Sequence, residues 1–235
     1  MYEYRSMQTA QAKAVAVNAF LRGVYGWMSA GLCLTAAAAL FTAQSPTVQQ
    51  AVFGNPILFF GLIIAQLGVV VALSAAINRL SAATATALFV GYSLLTGLTL
   101  SSIFLVYTTA SIFNTFVVCA GMFAAMSVYG AVTKKDLTAF GSFLFMGLIG
   151  IVIASLVNLF LRSSALDFAI SAIGVLVFTG LTAYDTQKLK TMGETAPQGD
   201  ALAIRRGTIL GALTLYLDFI NLFLMLLRLM GTRRD

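Results

Sequence analysis

Residues 211–231 read "GALTLYLDFINLFLMLLRLMG". Asp218 and Arg228 are the only charged residues in the stretch. Its apolar character reaches back to Gly207, so Gly207–Met230 makes a run of 24 residues. About 20 apolar residues suffice to cross a hydrocarbon core of about 30 Å as a helix. Asp218 is the twelfth residue of that run and lies near its midpoint. An ionised carboxylate at the bilayer centre costs roughly 2.5–3.5 kcal/mol on insertion scales. Asp218 must therefore be protonated, paired or facing water. Asn221, three residues on, and Thr214, four residues back, share its helical face and are candidates for polar support.

The rest of the chain repeats the apolar pattern. Of its 235 residues, 60% are hydrophobic and 9% are charged, against about 25% charged in ordinary soluble domains. Seven spans are predicted: Val24–Ala43, Pro56–Ile77, Ala82–Tyr107, Ala110–Val132, Phe140–Leu161, Phe168–Gln187 and Gly207–Met230. The longest connection is "KLKTMGETAPQGDALAIRR", and most are far shorter, so consecutive helices are expected to be antiparallel neighbours. The expected architecture is an all-α polytopic membrane protein, a seven-transmembrane-helix bundle. Residues 1–22 form a cytoplasmic N-terminal arm read as a flexible tail, 23–231 one transmembrane domain, and 232–235 a C-terminal tail. No cleaved signal peptide is expected, because the first apolar run exceeds the roughly 7–15 residues of a signal core.

Charge sets the orientation. With the N-terminus inside, Arg5, Lys13, Arg22, Arg79, Lys134, Lys135, Lys188, Lys190, Arg205 and Arg206 face the cytoplasm. Arg162, Arg228, Arg233 and Arg234 face the other side. Ten against four favours N-terminus in. A re-entrant last segment would instead place the terminal arginines inside, but its length favours a full crossing. The net charge of +6 lies in the gaps between spans, where it orients the protein, so no nucleic-acid partner is expected. The chain has no histidine, which removes Ser-His and Cys-His catalysis and histidine-held zinc or haem. Cys33 and Cys119 fall inside apolar runs and read as small fillers. Gly207 and Gly211 form a small-residue face that packs within the bundle, and a monomer is expected rather than a dimer.

A second carboxylate stands in "GLTAYDTQKLK", residues 180–190. Asp185 has two readings. It is a helix-end residue beside Lys188 at the interface, or it lies about one turn inside if the sixth span continues through Leu189. Asp218 is deeper by about 10 Å at 1.5 Å per residue, so contact between the two requires tilt, a shallow start to the last span, or a cavity. Should they meet, both cannot ionise cheaply in a low-dielectric site. They would share a proton, then separate or seek a cation when both ionise. Two carboxylates supply too few oxygens for a tight Ca²⁺ cage, but with water and Asn221 they offer a weak transit site.

The two aspartate stretches, with "GLTLSSIF", "TKKDL" and "ASLVNLF", closely resemble the signature regions of the Bax inhibitor-1 (TMBIM) family, in its bacterial YccA/YbhL-type branch. The resemblance covers the chain from about Arg22. It implies a central last helix and a pH-sensitive Ca²⁺ leak through the bacterial inner membrane, with Asp185 and Asp218 as a di-aspartyl proton sensor and Arg79 as its latch. Calcium-conducting members can carry a glutamate in the second span, where this chain offers Gln66.

Three functions follow. The first is a pH-gated cation leak with Ca²⁺ as the transported ion, no resident cofactor and no enzymatic activity. The second is a regulator that binds and restrains a membrane-anchored ATP-dependent protease through the N-terminal arm. The third is an intramembrane aspartyl protease using the two aspartates as a dyad. Such enzymes show GxGD at the second aspartate, where this chain has "LYLD".

Overall fold

The computed structural model describes residues 2–196 and 199–234, with side chains from residue 11 onward except that of residue 12. The described chain is helical: α1 Tyr2–Gln44, α2 Pro46–Phe53, α3 Pro56–Ala75, α4 Ala82–Leu100, α5 Ile103–Val106, α6 Thr109–Val132, α7 Thr138–Leu161, α8 Ser164–Thr195 and α9 Ala201–Met230. Taking α4 and α5 as one span, seven segments among the described residues are long and apolar enough to cross a membrane. In lipid every backbone N–H and C=O must be satisfied internally, and helices do this within one segment.

Helix starts follow local chemistry. Asn55 accepts from the Ile57 and Leu58 amides and precedes Pro56, Ser81 accepts from Thr84, and Thr108 from Ser111. These caps satisfy the first orphan donors of α3, α4 and α6. Helix ends depart from the sequence reading. The sixth span reaches Thr195 rather than Gln187, and the last begins at Ala201 rather than Gly207. Lys188, Lys190, Arg205 and Arg206 end the apolar runs but are good helix formers, so charge stops the crossing without stopping the helix. The predicted 19-residue connection accordingly shrinks to the residues between Thr195 and Ala201. The predicted N-terminal arm is likewise helical from Tyr2 and continuous with the first span.

The chain forms two compact units, Met1–Ser102 with Leu189–Tyr216 and Ile103–Lys188 with Leu217–Asp235. In the first, α1 packs on α4, and α3 also packs on α4. Glycines permit the close approach of α1 to α4: a Cβ on Gly31 would strike Phe89, and one on Gly97 would lie 2.5 Å from the Thr35 carbonyl. Thr35 Oγ1 donates to the Ser93 carbonyl at 2.8 Å and meets the Tyr216 hydroxyl at 2.6 Å. Its single proton goes to Ser93, so Tyr216 donates to it. The Phe89 and Tyr92 rings stand edge-on to Tyr216. Gln66 turns its amide to Leu95 O and Thr99 Oγ1 on α4, a polar tie between lipid-facing helices. Gly207 and Gly211 are both used inside this unit, against Met192 and against Leu189 and Val24.

In the second unit α6 and α8 meet backbone to backbone, Gly130 against Ala183. The C-terminal segment is tied to the start of α6. Thr108 N donates to Thr232 O at 3.1 Å, Arg234 N to Val106 O at 2.9 Å, and Thr232 N to Ser111 Oγ at 2.8 Å. Arg228 pairs with Asp167 across 3.7 Å, both well exposed. The end of α9 thus lies beside the junctions preceding α6 and α8, which seven crossings require and a re-entrant last helix does not. Outward faces are apolar: Phe160 is 88% and Ile57 85% exposed, which is ordinary against lipid. In the most apolar stretch of the last span 67% of the residues are buried, against 6% in that of α3.

Gly130→Ala places a methyl in the Ala183 carbonyl, and overpacking of this kind typically destabilises by about 1–3 kcal/mol. Gly121, on the same helix, has open space around it. Thermal unfolding in detergent is expected to show a lower Tm for Gly130→Ala and an unchanged or raised Tm for Gly121→Ala.

Candidate functional site

Asp185 lies ten residues before the end of α8, well inside the helix. The helix-end reading of Asp185 therefore gives way to the interior one. Asp218 lies on α9 with 5% of its surface exposed, and Asp185 is half-buried. Their carboxyl groups lie close enough to act on each other. Two adjacent carboxyl groups, one of them buried, cannot both ionise cheaply, and a direct hydrogen bond between them requires a proton on one of the two, because an ionised carboxylate has no donor. Asp218 Oδ2 is buried and has no hydrogen-bond partner among the described residues.

The α8 segment carrying Asp185 is gripped at three successive points. Ala183 abuts Gly130 of α6, and Tyr184 abuts Gly141 of α7. Gln187 reaches the 133–137 connection, accepting from Leu137 N at 2.9 Å and donating to Lys135 O at 2.8 Å. Side chains larger than hydrogen at positions 130 and 141 would push α6 and α7 off the helix that holds the carboxylate. In the same connection Asp136 Oδ1 accepts from Thr138 N at 2.9 Å and Thr138 Oγ1 at 2.6 Å. The Thr138 side-chain bond, then the backbone one, holds the Asp136 carboxyl below its usual range. Its contribution to starting α7 is fully present above the usual carboxylate range and is lost as pH falls below that range through the lowered value.

The α9 segment around Asp218 is walled by aromatic rings. Phe219 meets Phe116 at 5.5 Å and Phe123 at 5.4 Å, and Cys119 Sγ donates to Phe219 O at 3.7 Å. The nearest cation acting on Asp185 is Lys188, one turn further along α8. Its ammonium lies over the Tyr184 ring, 5.9 Å from the centroid.

The predicted supports of Asp218 also bond to their own helix. Asn221 Nδ2 donates to Leu217 O at 2.8 Å and Thr214 Oγ1 to Leu210 O at 3.1 Å. Each of these bonds uses one proton, which leaves the second Asn221 N–H, the Asn221 Oδ1 and the Thr214 oxygen with capacity for a neighbour. Arg79 sits exposed in the turn after α3, and among the described residues it forms no ion pair. No group of three or more His, Cys, Asp or Glu assembles among the described residues. Two carboxyl groups fall far short of the six to eight oxygens a resident Ca²⁺ takes.

Sequence reasoning singled out the two aspartates and missed what holds them. Gln187 lies in the quoted stretch, but a lone glutamine between aspartate and lysine carries no spacing signal. Gly130 and Gly141 were two of 20 glycines.

The family model described as "Inhibitor of apoptosis-promoting Bax1" matches residues 17–235. The chain is 60% identical over 230 residues to "Inner membrane protein YbhL" of Escherichia coli K12, covering 98% of each. It is 52% identical over 218 residues to an uncharacterized protein of Borreliella burgdorferi, covering 93% of this chain and 94% of that one. Over 235 residues it is 48% identical to an uncharacterized protein of Deinococcus radiodurans, covering 98% and 99%.

Gln187→Ala removes both bonds to the 133–137 connection, each worth about 1 kcal/mol. Limited trypsin digestion is expected to cut at Lys134 and Lys135 several-fold faster in this variant. Gln187→Glu, which keeps an acceptor for Leu137 N, is expected to fall between the variant and the parent.

Proposed function

The chain belongs to the Bax inhibitor-1 family of multi-pass membrane proteins, and on that premise we propose that it is a pH-sensitive cation leak of the bacterial inner membrane. Ca²⁺ is its transported ion, the Asp185–Asp218 pair its proton sensor, and its N-terminus is cytoplasmic. The observation that carries the reading is the adjacency of two aspartate carboxyl groups on separate spans, one of them buried. With one proton the pair is a tie between α8 and α9. With none, two like charges about 4 Å apart repel by about 4 kcal/mol at an effective dielectric of about 20. That is some three decades in an equilibrium constant, enough to exchange the populations of two helix packings. The grips at Ala183, Tyr184 and Gln187 make α8 the less yielding partner, so the response falls on α9.

The ionised pair also offers a passing cation two adjacent carboxylates. Its low coordination suits transit, since an ion that leaks must leave as readily as it enters. Arg79, exposed in the turn between α3 and α4 and without an ion pair among the described residues, is the latch candidate, a positive charge that competes for the ionised sensor.

A second reading is favoured by α1. At 1.5 Å per residue a 43-residue helix is about 65 Å long, twice what the bilayer core needs. The surplus is a rigid cytoplasmic element suited to binding a membrane-anchored ATP-dependent protease. Co-purification of such a protease, lost on deleting residues 2–20, is the outcome this reading expects.

Liposomes loaded with a Ca²⁺ indicator test the leak directly. Influx is expected to vary across about pH 5 to 8 and to lose that dependence in Asp185→Asn and Asp218→Asn. Arg79→Gln is expected to shift the profile while keeping its pH dependence. Absence of flux at every pH in folded protein overturns the proposal.

A further inference from the structure

The first unit contains a cavity of about 530 Å³ between the ends of α3, α8 and α9, with Phe20 of α1 in its wall. Phe20, Met192 and Ile204 give it apolar walls, and Ser74, Asn78, Thr195 and Arg206 supply its polar lining. Among the described residues no acidic side chain lines it. Arg206 is held in place by one bond, its Nη1 donating to Leu80 O at 3.4 Å. A guanidinium has five N–H donors in a fixed fork, so a single bond leaves most of its donor capacity for other partners, and it forms no ion pair among the described residues. Arg205 and Arg79, the sequence neighbours of Arg206 and Asn78, are exposed.

Depth identifies the ligand. Arg206 stands immediately before Gly207, where the apolar run of the last span begins. That is the level of phospholipid headgroups on the face that carries ten of the 14 basic residues. Basic pockets between spans on the cytoplasmic side bind anionic headgroups, and the arginine fork matches two phosphate oxygens at once. The apolar walls suit the first carbons of acyl chains, which a soluble anion lacks. We propose that this cavity is a binding site for an anionic phospholipid of the cytoplasmic leaflet, its phosphate on Arg206 and its chain stems against Phe20, Met192 and Ile204.

The test is native mass spectrometry of the full-length protein in detergent, titrated with phosphatidylglycerol, phosphatidylcholine or inorganic phosphate. Phosphatidylglycerol is expected to form a one-to-one adduct that inorganic phosphate does not displace, and phosphatidylcholine to bind at least about tenfold more weakly. Arg206→Gln is expected to weaken the phosphatidylglycerol adduct about tenfold, Arg206→Lys to restore part of it, and Arg205→Gln to leave it unchanged. Ala203→Phe fills the cavity without altering charge and is expected to abolish the adduct, which decides the matter if Arg206→Gln fails to fold. Equal binding of phosphatidylcholine, displacement by inorganic phosphate, or a full adduct in both Arg206→Gln and Ala203→Phe overturns the proposal.

Discussion

A hydrogen bond between two carboxyl groups exists only while one proton is present for the pair. In this protein the carboxyl groups of Asp185 and Asp218 lie close enough to share such a proton, and Asp218 is buried in the last span. Lipid offers neither water nor counterions to a side chain that loses its proton there. A bond of that kind ties two helices only while its proton is present, a condition that an apolar contact does not carry. The small-residue approaches of α6 and α7 to α8, and the Gln187 tie to the 133–137 connection, give one side of the bond a firm mount.

Elsewhere the same physics is used for permanence. Apolar side chains gain little by leaving lipid for protein, so close contact comes from glycine and from short polar ties. Gly31 and Gly97 bring α1 to α4, and the Thr35–Ser93–Tyr216 chain of bonds is internally satisfied. At the far end of α9, backbone bonds to Val106 and Thr108 and the Arg228–Asp167 pair fix the C-terminal segment. None of these contains a buried group that must gain or lose a proton.

Much of the fold was legible in the chain because lipid imposes a length and a polarity on each crossing. All seven predicted spans correspond to observed helices, and Asp218 stood out as a charge where charge is expensive. Helix ends were less legible. Lys188, Lys190, Arg205 and Arg206 leave the membrane but continue the helix, and this is why Asp185 was ambiguous until α8 was seen to run to Thr195. Thr214 and Asn221 share the face of Asp218, yet the Thr214 hydroxyl proton and one Asn221 N–H go to Leu210 and Leu217, because a backbone carbonyl one turn back is within reach. The contacts that place the site depend on where a glycine meets another backbone, as Gly130 meets Ala183, and spacing along one chain does not encode that.

The central claim is that the pair holds a proton. Isotope-edited infrared spectroscopy of the protein carrying carboxyl-labelled aspartate, in lipid near neutral pH, reads this directly. The account predicts one protonated carboxyl band per chain, lost or displaced in both Asp185→Asn and Asp218→Asn. A spectrum near neutral pH with only ionised carboxylate bands, in protein whose helices are intact, would contradict it.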